Sequence, residues 1–247
     1  MGEHTIREIL KRRSPETQRA MERRRKLAGG ASAREALVPK LIVALVVLAI
    51  LGGIGYLGFV AHDASQRFDA DKASRGAAAL TLASTTEFLP NTLLAAMDPT
   101  FYSSSVLSGT GLTHRLLRLW YPGATSLEIR IMSIALEAGH SKTEIMEAFI
   151  NDAPMGGDSA HPIRGMDAAA NDYFGKPFAQ LPPQDIALLV AIVTDPVTLD
   201  PRRFPSKALE ARNAVLQADL QQNVLSQAQV DGLSKLPLDA VLAATKP

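Results

Sequence analysis

From Leu41 to Ala61 the chain runs for 21 residues without a charged side chain, in the order Leu-Ile-Val-Ala-Leu-Val-Val-Leu-Ala-Ile-Leu and then a Gly-rich stretch. As a helix, at about 1.5 Å per residue, this run spans roughly 30 Å, the thickness of a bilayer's hydrocarbon. It is too long and too far from the start to be the apolar core of a cleaved leader, since 40 residues precede it. The run therefore predicts one transmembrane helix, which splits the rest of the chain into two aqueous parts. Of the 26 Lys and Arg and 25 Asp and Glu, 11 and 5 fall in residues 1–40, leaving 15 and 20 on the far side. Basic flanks stay in the cytoplasm, which puts the N-terminus inside and residues 62–247 outside the membrane. The near-neutral total thus hides a basic tail and an acidic ectodomain, and gives no whole-chain case for nucleic acid. The run Arg23-Arg24-Arg25-Lys26 suits a juxtamembrane segment drawn to anionic lipid.

With no cysteine in the chain, disulfides, thiolate metal sites and a cysteine nucleophile are excluded. The histidines after His4, at His62, His114, His140 and His161, have no metal-ligand spacing. No phosphate-cradling glycine loop or hydrolase nucleophile motif stands in a fitting context, and Ser103-Ser104-Ser105 reads as a polar turn without a base. No internal repeat is present.

Past the span, residues 62–86 suit a polar helical stalk, and a folded domain is expected over 87–247. Almost every segment there carries helix signals and none alternates at period 2, so the ectodomain is expected to be all-α. Ser141 with Glu144 and Ser226 with Gln229 fit capping boxes. Pro182 and Pro183 suit the first turn of a helix over 184–193, and Ser206 precedes another over 208–220. Leu127 to Leu136 is apolar almost all round, which predicts a central buried helix with a bundle wrapped about it.

The stretch Asp167 to Leu189 contains an alanine run, Tyr173-Phe174-Gly175-Lys176, a Leu-Pro-Pro break and Ile-Ala-Leu-Leu. Upstream stand Ser141-Lys142, Glu144-Ile145-Met146-Glu147, Asn151 and Gly165; downstream stand Pro196, Pro201, Ala208 and Arg212-Asn213-Ala214-Val215-Leu216. This ordered set resembles the family 51 glycosyltransferases, the peptidoglycan transglycosylase modules of penicillin-binding proteins. The resemblance runs from Leu89 to about Leu233 and implies a lysozyme-like, all-α transglycosylase-type ectodomain that polymerises lipid II.

The half that carries that family's chemistry departs from its pattern. Where the family has A-x-E-D-x-x-F, with the glutamate as general base, this chain has Ala95-Ala96-Met97-Asp98-Pro99-Thr100-Phe101. Methionine cannot accept a proton at neutral pH, which leaves Asp98 as the one candidate base, one position and about 100° further round a helix. A missing general base forfeits about 10²–10⁴ in rate. The loop that follows in the family is missing, and its Q-Q pair becomes His114-Arg115, while Thr113 and a basic residue at Arg118 persist. The family's R-K-x-x-E, with its cations and second glutamate, falls on Thr125, Ser126 and Ile129, and Glu128 and Glu137 are read as structural carboxylates. By the resemblance, Thr113, His114, Arg115 and Arg118 are the candidate substrate-binding residues, with the arginines three apart on one face and able to hold a lipid pyrophosphate. Trp120-Tyr121-Pro122 suits either a membrane-interface anchor or a turn with core aromatics. No cofactor is evident, though a divalent metal would accompany pyrophosphate departure in an active enzyme.

The expectation is therefore a single-pass membrane protein with a degenerate transglycosylase ectodomain. It would bind a lipid-linked cell-wall precursor, such as lipid II or undecaprenyl pyrophosphate, or a cell-wall synthesis partner. An active polymerase, and an unrelated membrane-tethered helical interaction protein, are the alternatives.

Overall fold

The computed structural model describes residues 15–76, 79–106, 109, 111–158 and 160–238, without the side chains of residues 15, 17 and 25–36. Residues 1–14 of the basic tail, the side chains of Arg25 and Lys26, and Ser108 and Thr110 lie outside the described set. The chain divides into two compact units, Met1–Tyr56 and Leu57–Pro247.

Helix α1, Pro15–Ser74, contains the apolar run, and a 38-residue part of it, Leu37–Ser74, is long and apolar enough to cross a membrane. Its large side chains point outward: Leu45, Leu48 and Ile54 are each more than 60% exposed, which suits lipid and not a protein core.

In the second unit the packed domain reaches back to Ala64, well before the boundary expected at residue 87. Ala64 and Phe68, four apart and so on one face of α1, are fully buried. Phe68 packs against His140, with ring centroids 4.2 Å apart, and edge-on to Trp120 at 6.0 Å. Around that apolar pair, Arg67 donates to the carbonyl of Trp120 (3.0 Å), the Tyr121 hydroxyl donates to Asp63 (2.7 Å), and Lys72 pairs with Glu144 (2.5 Å). The residues read as a stalk are thus helical to Ser74 and docked through Ala64 and Phe68, with Asp71 on the same face paired to Arg75.

The remaining helices are α2 (Phe88–Met97), α3 (Gly111–Trp120), α4 (Ser126–Gly139), α5 (Lys142–Asp152), α6 (Met166–Phe174), α7 (Pro183–Ile192), α8 (Pro205–Gln221) and α9 (Gln227–Leu233). The mostly helical architecture matches the all-α expectation, with one short addition: an antiparallel hairpin of β1 (Pro154–Gly157) and β2 (Pro162–Arg164). Gly156 and Gly157 have φ of 105° and 85°, and a Cβ on either would clash, with the Tyr173 hydroxyl and the His161 carbonyl respectively. The hairpin therefore depends on glycine at both positions.

The expected capping boxes form at Ser141–Glu144 and Ser226–Gln229. The buried centre is α7, not α4: every residue from Gln184 to Ile192 is buried, and α7 packs on α8, α2, α6 and β1. Helix α4 buries Ile129, Met132, Ser133, Leu136 and Glu137 but leaves Leu127 58% exposed. An apolar run signals burial only on the faces that neighbours cover.

Candidate functional site

The sequence-predicted site residues gather where α2 ends and α3 begins. Helix α2 stops at Asp98, whose N–H donates to Leu94 O. The Asp98 side chain, 6% exposed, then turns to the start of α3: Oδ2 accepts from Leu112 N (3.1 Å), and Oδ1 accepts from Thr100 Oγ1 (3.1 Å). The first N–H groups of a helix have no intrahelical partner and carry partial positive charge, so this carboxylate serves as a cap delivered from 14 residues upstream. Met97 is partly buried and packs against the core.

Helix α3 buries Leu112, Thr113, Leu116, Leu117 and Trp120 and turns Arg115 and Arg118 outward. Thr113 faces away from the arginines. Its hydroxyl donates to Glu137 Oε1 (2.6 Å), and Lys142 donates to Glu137 Oε2 (2.7 Å), with the ammonium 4.7 Å from the Phe101 ring centroid. The Glu137 side chain is fully buried, so its charge is balanced by Lys142 and a hydroxyl, the arrangement burial of a carboxylate requires. Lys142 was not among the expected site residues; its place directly after the N-cap Ser141 gives no sign of a partner on α4.

His114 is half-buried beside Gly109, whose Cβ position would be 2.8 Å from His114 Nε2 and closer still to Ser133 Oγ. Neither buried atom has a hydrogen-bond partner among the described residues. Burial holds the imidazole below its ordinary pKa, and Arg118 and Arg130 lower it further against the opposing pull of Glu137. His114 is therefore neutral at pH 7. The same influences put Arg130, on α4, in the electrostatic neighbourhood of Arg118, although sequence spacing could not pair residues across two helices.

The positions that correspond to the family's cations and second glutamate are occupied differently. Thr125 is the N-cap of α4: its Oγ1 accepts from Glu128 N (3.3 Å), and its N–H donates to Glu128 Oε2 (2.6 Å), a capping box. Ile129 is 1% exposed in the core. Among the described residues no three His, Asp or Glu side chains converge to hold a metal. Asp98 is engaged as the cap of α3 and Glu137 is paired with an ammonium, so the residues present do not fit a divalent ion here. Two surface cavities lie elsewhere. One, of about 340 Å³, is lined by Asp158, His161, Asp172, Asp200 and Arg202 among others. The second, of about 400 Å³, is lined by Phe88, Leu181, Ile186 and Leu225 among others.

The residues that carry the C-terminal resemblance hold the architecture. Asn151 bonds the backbone of Leu80 in both directions, and Glu147 accepts from Leu82 N. The Tyr173 hydroxyl donates to Met155 O (2.8 Å). Arg212, 1% exposed, donates to the carbonyls of Ser234, Leu236 and Pro237.

Residues 125–219 match the family model described as Transglycosylase. Penicillin-binding protein 1B of Escherichia coli strain K12 is 37% identical over 107 residues, covering 43% of this chain and 13% of the relative. Penicillin-binding protein 1C of the same strain is 34% identical over 141 residues, covering 55% and 18%. A crystal structure of penicillin-binding protein 1A from Haemophilus influenzae aligns with a TM-score of 0.45 at 23% identity, covering 66% of this chain and 18% of that one. The chain thus spans less than a fifth of the length of each of these three proteins.

Proposed function

We infer, for a chain whose residues 125–219 carry a transglycosylase module of the family 51 type, that the module is retained for binding and has lost polymerase chemistry. In this reading the protein is a single-pass inner-membrane protein with its N-terminus in the cytoplasm. Its ectodomain engages a lipid-linked peptidoglycan precursor or a cell-wall synthesis partner without joining sugars.

The observation that carries the reading is the state of the carboxylates around Met97. A general base must be free to take a proton from an incoming hydroxyl and within hydrogen-bond reach of it. Asp98 spends both oxygens on Leu112 N and Thr100 Oγ1, Glu137 is shut into the core with Lys142 and Thr113, and Glu128 closes a capping box. The slot of the second glutamate is Ile129, buried in the core. Stabilising a departing pyrophosphate needs fixed cations or a metal at that position, and Thr125 and Ser126 supply neither.

The test is lipid II polymerisation by the full-length protein in detergent with a divalent metal, beside an Asp98→Asn variant. No glycan product is expected from either. Product that vanishes in the variant would make Asp98 the base and overturn the reading; product that persists would overturn it as well and move the base elsewhere. Capture of labelled lipid II without turnover would identify the precursor as the ligand.

A further inference from the structure

We propose that the tip of the α3–α4 hairpin is a bilayer-docking surface that uses Arg115, Arg118 and Arg130 to engage the phosphates of anionic phospholipids. The proposal rests on the membrane-span reading of Leu41–Ala61 and is independent of any lipid II chemistry.

Its first support is position. The apolar run ends at Ala61, and Asp63, two residues on, accepts a hydrogen bond from the hydroxyl of Tyr121. Arg67, one helical turn further, donates to the carbonyl of Trp120 and lies over both rings, 5.5 Å from the Trp120 centroid and 5.0 Å from that of Tyr121. The turn between α3 and α4 is therefore fastened to the part of α1 that emerges first from the hydrocarbon. Arg118 lies two residues before Trp120 and Arg115 five, roughly 3 and 7.5 Å along the helix axis.

The second support is unspent charge. Arg115, Arg118 and Arg130 are exposed, and none forms an ion pair among the described residues. Arg118 and Arg130 also act together on His114. The carboxylates at this end are occupied: Asp63 by Tyr121, Asp152 by the Trp120 indole (2.6 Å) and Glu128 by the N-terminus of α4. Beside Arg130, three positions before it and so on the same face of α4, Leu127 stands 58% exposed. Arginines around an exposed leucine at the level of the headgroups match an anionic interface in both charge and polarity. The indole of Trp120 takes no part, since it is 8% exposed and bonded to Asp152.

The absence of native cysteine makes the test direct. A Leu127→Cys variant of the full chain, labelled with a fluorophore, is reconstituted in nanodiscs that contain lipid-borne quencher, in either zwitterionic or phosphatidylglycerol-containing bilayers. Strong quenching is expected only in the anionic discs, and it should fall as salt is raised. Each basic residue near an anionic surface changes the docked-to-free ratio by about fivefold, so replacing all three arginines by Gln should lower it by roughly a hundredfold. Replacing them by Lys should leave most of it, and the fluorescence of Trp120 reports that each variant is folded. Equal quenching in both bilayers, or quenching that survives the triple Gln variant, would overturn the proposal. Loss of quenching on adding inorganic pyrophosphate to the anionic discs would overturn it too, by showing that the arginines take a free phosphate in preference to the bilayer. A chain that fails to co-elute with the discs would remove the membrane span itself, a failure distinguishable from an inserted but undocked ectodomain.

Discussion

Asp219 is fully buried near the C-terminus of α8, where its Oδ2 accepts one hydrogen bond, from Thr92 Oγ1 on α2 (3.0 Å), and Oδ1 has no partner among the described residues. Burial pushes its pKa up from the ordinary carboxylate value of 3.8 to about 6, opposed only by the threonine. Because the folded value lies above the unfolded one, the native state holds a proton that the unfolded chain has released between pH 4 and 6. Stability therefore falls as pH rises through that window. At 1.36 kcal/mol per unit, a shift of about 2 units costs the native state about 3 kcal/mol once Asp219 is ionised. An Asp219→Asn variant removes the charge and keeps an acceptor for Thr92, but its amide N–H₂ stands where Oδ1 already lacks a partner. An unsatisfied buried group costs about 1–3 kcal/mol, so a net gain of about 0–2 kcal/mol is expected at pH 7.5. The gain should vanish or reverse near pH 4.5. Thermal unfolding of the detergent-solubilised chain, followed by the fluorescence of its single tryptophan, Trp120, reads this as a few degrees, at about 2–4 °C per kcal/mol for a domain of this size. Every other titrating group is common to the two proteins, so the difference between their pH profiles isolates Asp219. Parallel profiles from pH 4.5 to 7.5 would refute the argument.

Other substitutions test the same reasoning at different places. Asp98→Ala should lower stability by about 1 kcal/mol through loss of the cap on α3, while Asp98→Asn, which keeps an acceptor, should lose less; equal losses would mean that the cap contributes nothing. Glu137→Ala strands the Lys142 ammonium and should cost about 3–5 kcal/mol, seen as an earlier denaturant midpoint, whereas a loss below 1 kcal/mol would show that Lys142 finds water instead. Phe68→Ala, at a fully buried ring, should cost about 3–5 kcal/mol and open residues 57–75 to limited proteolysis before the rest of the ectodomain; an unchanged digest would detach α1 from the fold. Met97→Glu should yield no glycan in the lipid II assay, because Thr125, Ser126 and Ile129 still leave the pyrophosphate and the second carboxylate unprovided for.

What could be read in advance, and what could not, divides by sequence separation. The capping boxes at Ser141 and Ser226 join atoms three residues apart, so residue type and spacing determine them. The Asp98 contact to Leu112 N, the Thr92 contact to Asp219 and the Arg67 contact to Trp120 cross 14, 127 and 53 residues, and each depends on where a helix begins or which helices meet. The apolar run over 127–136 was legible as helix but not as half-covered, because coverage belongs to its neighbours; α7, of similar composition, is enclosed on all sides. The hairpin 154–164 escaped because Pro-Met-Gly-Gly has no alternation and is held by positive-φ glycines and by Tyr173 from another element. The same limit governs the site. Met97 and Ile129 in place of glutamates are visible as letters, but a replaced base leaves open whether a neighbour takes over its task. That question turns on which carboxylates remain free in three dimensions. At Asp98 the short side chain that would have to reach a substrate is the one that accepts from Leu112 N at the start of α3. Freeing Asp98 for proton transfer would release Leu112 N and Thr100 Oγ1, so catalysis and fold compete here for the same two oxygens.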